Sequence, residues 1–135
     1  MGNGVNLEMQ SLSFLVVDDE AFIQKLAVRI LGQMGGTDIE TASNGKEALD
    51  HISSAVSEPD ILLVDLNMPI MGGVELLNHL AEKNFSGAIV LVSGADEETL
   101  AVAEGLAKNC DVNVLGYLTK PITPQSLTDM LNRLN

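Results

Sequence analysis

One pattern limits this chain more than any other: a short apolar run rich in Val, Ile and Leu followed by a segment of helical periodicity, five times over. The runs are SFLVV, TDIETA, DILLVD, AIVLVS and VLGYL. ILLV and AIVLV lack in/out alternation, which suits strands covered on both faces, as a parallel sheet requires. Between the runs, Phe22, Leu26 and Ile30 repeat at i+4 and Val74, Leu77 and Leu80 at i+3, while Leu127, Met130, Leu131 and Leu134 follow i, i+3, i+4, i+7. Helix boundaries carry their own marks. Asn44 with Glu47 reads as a capping box, and Thr123-Pro124 as an N-cap followed by Pro at the first helical position. Gly35-Gly36 can end the first helix, and Gly72-Gly73 can open the third after the break at Pro69. The order is (βα)5, which predicts an α/β fold: a doubly wound, five-stranded parallel sheet with right-handed crossovers. With 135 residues, 46% of them hydrophobic, one domain is expected. We place it at residues 11–135, behind a loose leader at 1–10.

Charge removes several functions. Nineteen Asp plus Glu against seven Lys plus Arg give a net charge of -12, so no basic surface is expected for direct contact with nucleic acid or an anionic membrane. No run approaches the ~18 apolar residues of a membrane span, and the first ten residues lack a basic segment leading into an apolar one. A cytoplasmic location is expected. Cys110 is the single cysteine, so no intrachain disulfide can form.

The residues least expected in a core gather at one place in the pattern. Asp18 and Asp19 follow the first run, Asp65 ends the third, Ser93 ends the fourth and Lys120 follows the fifth. Open α/β sheets bind ligands at the carboxyl ends of their strands. If the first and third strands are neighbours, ~4.8 Å apart, three carboxylates converge. Such a cluster calls for protonation or a bound cation, and an all-oxygen donor set favours Mg2+ over zinc or copper. Asp18 or Asp19 could instead cap the first helix. Asp65 has no helix to cap, because Pro69 and Gly72-Gly73 intervene before the next one. His51 and His79 fall in helical patterns and read as helix-face residues.

VVDDE, ASNGKEAL, ILLVDLNMPIMGGVELL, LVSGAD and GYLTKP, in this order and spacing, closely resemble the receiver domain of two-component response regulators, from about Leu12 to Leu134. The resemblance implies a flavodoxin-like sheet of order 2-1-3-4-5. It implies that Asp65 accepts a phosphoryl group, that Asp19 ligates Mg2+ directly with Asp18 acting partly through water, and that Asn67 offers its backbone carbonyl to the ion. Ser93 would hydrogen-bond the phosphoryl group, Lys120 would pair with it, and Tyr117 would be the switch aromatic. The Lys120-Pro121 bond is commonly cis in such domains. Asn67 and Ala95 would flank the path of the hydrolytic water. The donor would be a sensor histidine kinase or a phosphotransfer protein. Output would leave by the fourth helix (96–108), fifth strand and fifth helix, to an output domain or a second copy, from a stand-alone receiver or the first part of a longer regulator. A receiver-like interaction module that takes no phosphate is the alternative.

Other phosphate and acyl chemistries fit poorly. Leu91 stands where G-x-S-x-G needs its first glycine, Asn67 stands where a dehalogenase-type phosphatase needs a second Asp, and no Walker A or G-x-G-x-x-G motif occurs. What the resemblance implies is no conventional enzyme but a catalyst of its own phosphorylation and dephosphorylation.

Overall fold

The computed structural model describes residues 8–68, 70–94 and 111–134, together with Ala101, Gly105 and Lys108. Five strands, β1 (Ser13–Val17), β2 (Asp38–Ala42), β3 (Ile61–Asp65), β4 (Ala88–Ser93) and β5 (Asn113–Thr119), form one sheet of order β2-β1-β3-β4-β5. Every pairing is parallel. Helices α1 (Ala21–Gln33), α2 (Gly45–Ser54), α3 (Gly73–Glu82) and a C-terminal helix (Pro124–Leu131) accompany the sheet, with short 3-10 turns at Met9–Ser11 and Asn132–Leu134. The helix expected over 96–108 lies mostly outside the described residues, though Ala101, Gly105 and Lys108 are helical.

Both sheet faces are covered, which accounts for the unbroken apolar runs. Leu15, Val17, Leu62, Val64, Ile89 and Leu91 point into a core closed by α2 and α3. Their sequence neighbours Phe14, Val16, Ile61, Leu63 and Val90 point the other way, into a core closed by α1 and the C-terminal helix. Each fully buried side chain of this kind contributes on the order of 1.5–3 kcal/mol.

Local chemistry sets the helix ends. Gly36 N–H donates to the Leu31 carbonyl at 2.9 Å and Gly35 N–H to that of Gly32 at 3.1 Å, with Gly35 at φ +105°; this is the glycine-dependent Schellman end. Thr123 and Ser126 form a reciprocal capping box with Pro124 at the first helical position. At α2 the box is displaced. Glu47 N–H donates to Asn44 Oδ1 at 2.8 Å, but the Glu47 carboxylate accepts from Ser43 N–H at 2.9 Å rather than from Asn44.

Two expectations need correction. Met9, assigned to the leader, is 5% exposed in the α1-side core, and the Thr37 hydroxyl donates to the Gln10 carbonyl at 3.3 Å, so the packed domain reaches back to Met9. An isolated methionine carries no periodicity from which this could be read. Phe22, assigned to the apolar stripe of α1, is 74% exposed. The buried stripe centres on Ala27, Ile30 and Leu31, and at ~100° per residue Phe22 falls roughly a third of a turn away from it.

Candidate functional site

Strand register creates the site. Val17 pairs with Val64, so the next residues, Asp18 and Asp65, stand level at the carboxyl edge of adjacent strands. Asp65 pairs with Val92 and Ser93 with Thr119, which brings the end of β4 and Lys120 to the same edge. The chain is held there by backbone. Asp18 N–H donates to the Ala42 carbonyl at 3.0 Å, and Gln24 Nε2, from α1, donates to the Asp18 carbonyl at 2.6 Å. Gly73 lets α3 start against the end of β3: a Cβ there would lie 2.8 Å from Leu66 Cα and 3.0 Å from the Asp65 carbonyl oxygen.

Asp18 and Asp65 are buried, at 2% and 3% exposure, while Asp19 is exposed; the three place carboxylate oxygens within 4.8 Å of one another. Asp18 Oδ1 accepts from Glu20 N–H at 2.8 Å, and Asp65 Oδ1 from Asn67 N–H at 3.1 Å. Asp18 therefore turns the chain into α1 and does not cap it: the N-cap is Glu20, which makes no side-chain cap bond. Lys120 Nζ lies 3.1 Å from Asp18 Oδ2, 3.4 Å from Asp65 Oδ2 and 3.0 Å from Glu20 Oε1. The repulsion expected among the acids is thus partly met by a cation of the chain itself. The peptide bond after Lys120, to Pro121, is cis.

Charge balance at Asp65 is incomplete. Burial pushes its carboxyl up from 3.8 to about 6; the Asn67 N–H opposes this, the Asp18 charge adds to it, and Lys120 pulls it back down. Burial alone would lower the Lys120 pKa, but Glu20 and Asp18, with Asp65 behind them, hold it above the ordinary amine value. An open cleft over these groups is lined by Asp19, Glu20, Asp65, Asn67, Gly94 and Lys120. Its donor set, carboxylate oxygens with room for water, fits Mg2+, which keeps several waters and takes few protein ligands.

Asp18, Asp19, Asp65 and Lys120 are thus brought together, and Asn67 joins them through its N–H. Ser93 contributes the last residue of β4; its side chain lies outside the described residues, as does Ala95. Tyr117 is half-buried in β5 opposite Leu91 and packs on the α2/α3-side core. His79 sits on α3 between Glu75 and Glu82, at 3.8 and 3.7 Å, and His51 lies on α2. Two residues at the site escaped sequence reasoning. Glu20 was visible in the DDE triplet, but its partner Lys120 is 100 residues away. Gln24 gave no signal, because a glutamine on a helix is ordinary.

A sequence model of the response regulator receiver domain matches residues 14–132. The positive alginate biosynthesis regulatory protein of Pseudomonas aeruginosa is 32% identical over 124 residues, covering 90% of this chain and 46% of that protein. The nitrate/nitrite response regulator NarL of Escherichia coli is 33% identical over 122 residues, covering 90% of this chain and 53% of its own length. The chain thus spans about half the length of these curated relatives. Among solved structures, a response regulator from Colwellia psychrerythraea superposes with a TM-score of 0.75 at 32% identity, covering 91% of this chain and 95% of that one. No helix among the described residues is long and apolar enough to cross a membrane.

Proposed function

The chain belongs to the response regulator receiver domain family of two-component signalling, and from that premise we propose that Asp65 is the phosphoacceptor of a phosphorylation-dependent switch. The observation that carries this reading is the convergence of buried Asp65 with Asp18, Asp19 and Lys120 beneath an open cleft. A carboxylate oxygen of Asp65 attacks phosphorus, the P–N bond to a donor phosphohistidine breaks, and the imidazole leaves with the electron pair. Nucleophile and phosphoryl group are both anionic, so charge neutralisation matters more than proton transfer. Asp18, Asp19, Asp65 and the Asn67 carbonyl would hold Mg2+, whose charge offsets that of the phosphoryl oxygens. Lys120 pairs with one such oxygen and Ser93 donates its hydroxyl to another. Water later attacks phosphorus and frees phosphate, at a rate that the residues two after Asp65 and Ser93, Asn67 and Ala95, would set.

The donor is a sensor histidine kinase or a phosphotransfer protein, and the setting is cytoplasmic. A charge-assisted bond from Ser93 would draw the segment after β4 toward the site, Tyr117 would turn inward, and the face expected from residues 96–108, β5 and the C-terminal helix would change for an output domain or a second copy. Incubation with Mg2+ and acetyl phosphate, read by intact mass, tests the reading. Gain of one phosphoryl, lost in Asp65→Asn, supports it. No gain would leave a receiver-like interaction module.

A further inference from the structure

An ammonium has three N–H donors, and those of Lys120 face three carboxylates, at 3.1 Å in Asp18, 3.0 Å in Glu20 and 3.4 Å in Asp65. No donor is left for a phosphoryl oxygen until one of these contacts opens. They are not equivalent. Asp18 and Asp65 are buried, so withdrawing the ammonium from either strands a carboxylate in a poorly solvated place. The Glu20 side chain is 61% exposed, and water can replace the ammonium there at little cost. Glu20 also lines the cleft, where its charge meets whatever enters.

Building on the reading of Asp65 as phosphoacceptor, we propose that Glu20 is a positioning and donor-selecting residue. It occupies Lys120 in the resting protein, gives way to the entering phosphoryl oxygen, and disfavours donors in proportion to their negative charge. Two small donors separate this from a general effect. Near neutral pH acetyl phosphate is a dianion, while phosphoramidate carries one net negative charge, with its ammonium at the leaving end. In each case an Asp65 oxygen bonds to phosphorus and the electron pair of the broken bond leaves with acetate or with ammonia.

The experiment measures phosphorylation rates of the full chain with Mg2+ and each donor, for wild type, Glu20→Gln, Glu20→Asp and Glu58→Gln. Glu58 is exposed at the opposite end of the sheet and controls for net charge. Glu20→Gln should speed the acetyl phosphate reaction by roughly three- to tenfold, the scale of removing one charge a few ångströms away. Its ratio of acetyl phosphate to phosphoramidate rates should rise at least about twofold, with Glu20→Asp restoring the wild-type ratio. An unchanged ratio in Glu20→Gln, or an equal change in Glu58→Gln, overturns the proposal. Wild type inert to both donors would instead overturn the phosphoacceptor reading, and this inference with it.

Discussion

Asp60 and Asp65 stand at opposite ends of the same strand, and their surroundings differ in kind. At the amino end of β3, the exposed Asp60 carboxylate accepts from Ser13 N–H at 2.9 Å and from the Ser13 hydroxyl at 3.2 Å, while Asp60 N–H donates to the Ser13 carbonyl at 2.9 Å. This acid clasps β1 to β3. At the carboxyl end, Asp65 is buried, has among the described residues one backbone donor and a long contact to a shared ammonium, and faces a second buried acid. A carboxylate whose charge is well met is structural. One whose charge is only partly met is costly to the fold and available to a metal ion and an electrophile.

Exchanging the amide for the acid at each end probes this contrast most severely. Asp65→Asn should reduce phosphoryl uptake from acetyl phosphate by at least about a hundredfold, since an amide is a poor nucleophile. Asp60→Asn should stay within about twofold of wild type by the same mass measurement. Comparable losses in both variants would dissolve the distinction.

Protonation offers a second probe. The folded-state value of Asp65, about 6, exceeds its ordinary 3.8, so the folded protein binds the proton more tightly and this site favours folding most at low pH. That advantage is lost as pH rises from 3.8 through 6. A displacement of this size is worth about 3 kcal/mol. In chelator, denaturant melts of Asp65→Asn should gain up to that amount on wild type between pH 4 and pH 7. A difference independent of pH would mean that Asp65 is better compensated than its burial indicates.

Magnesium should relieve the same imbalance by binding only the folded state. At tenfold excess over its Kd the gain is about 1.4 kcal/mol, visible as a raised Tm in wild type, much reduced in Asp19→Asn and retained in Asp60→Asn. An equal response in wild type and Asp19→Asn would place the ion elsewhere. The smallest effect belongs to the clasp. Asp60→Ala should cost about 1 kcal/mol of stability, typical of lost hydrogen bonds near a surface, while uptake by the surviving folded protein stays unchanged. Impaired uptake there would show that the two ends of β3 are coupled.

Much of this molecule was legible in order along the chain. All five strands lie where the apolar runs were read, and the ends of α1, α3 and the C-terminal helix coincide with Gly35-Gly36, Gly72-Gly73 and Thr123-Pro124. The grouping of Asp18, Asp19, Asp65 and Lys120 was legible too, because each follows or closes an apolar run. Phe22 was misread since two helical stripes share Ile30, and only the neighbours of α1 decide which is buried. Met9 and Gln24 were missed because a single methionine or glutamine makes no pattern.

By itself the sequence determined the βα alternation, the caps and the placing of the acids at strand ends, because periodicity, capping and turn chemistry act over a few residues. The pattern alone left the order of strands open, and the resemblance supplied it. Tertiary structure decided that β1 lies beside β3 with Val17 against Val64, which sets Asp18 level with Asp65. It also decided which acids share Lys120 and how poorly Asp65 is solvated. These depend on distances of a few ångströms between residues up to about a hundred apart in the chain, and Coulomb energy and desolvation are set by such distances, not by separation along the sequence.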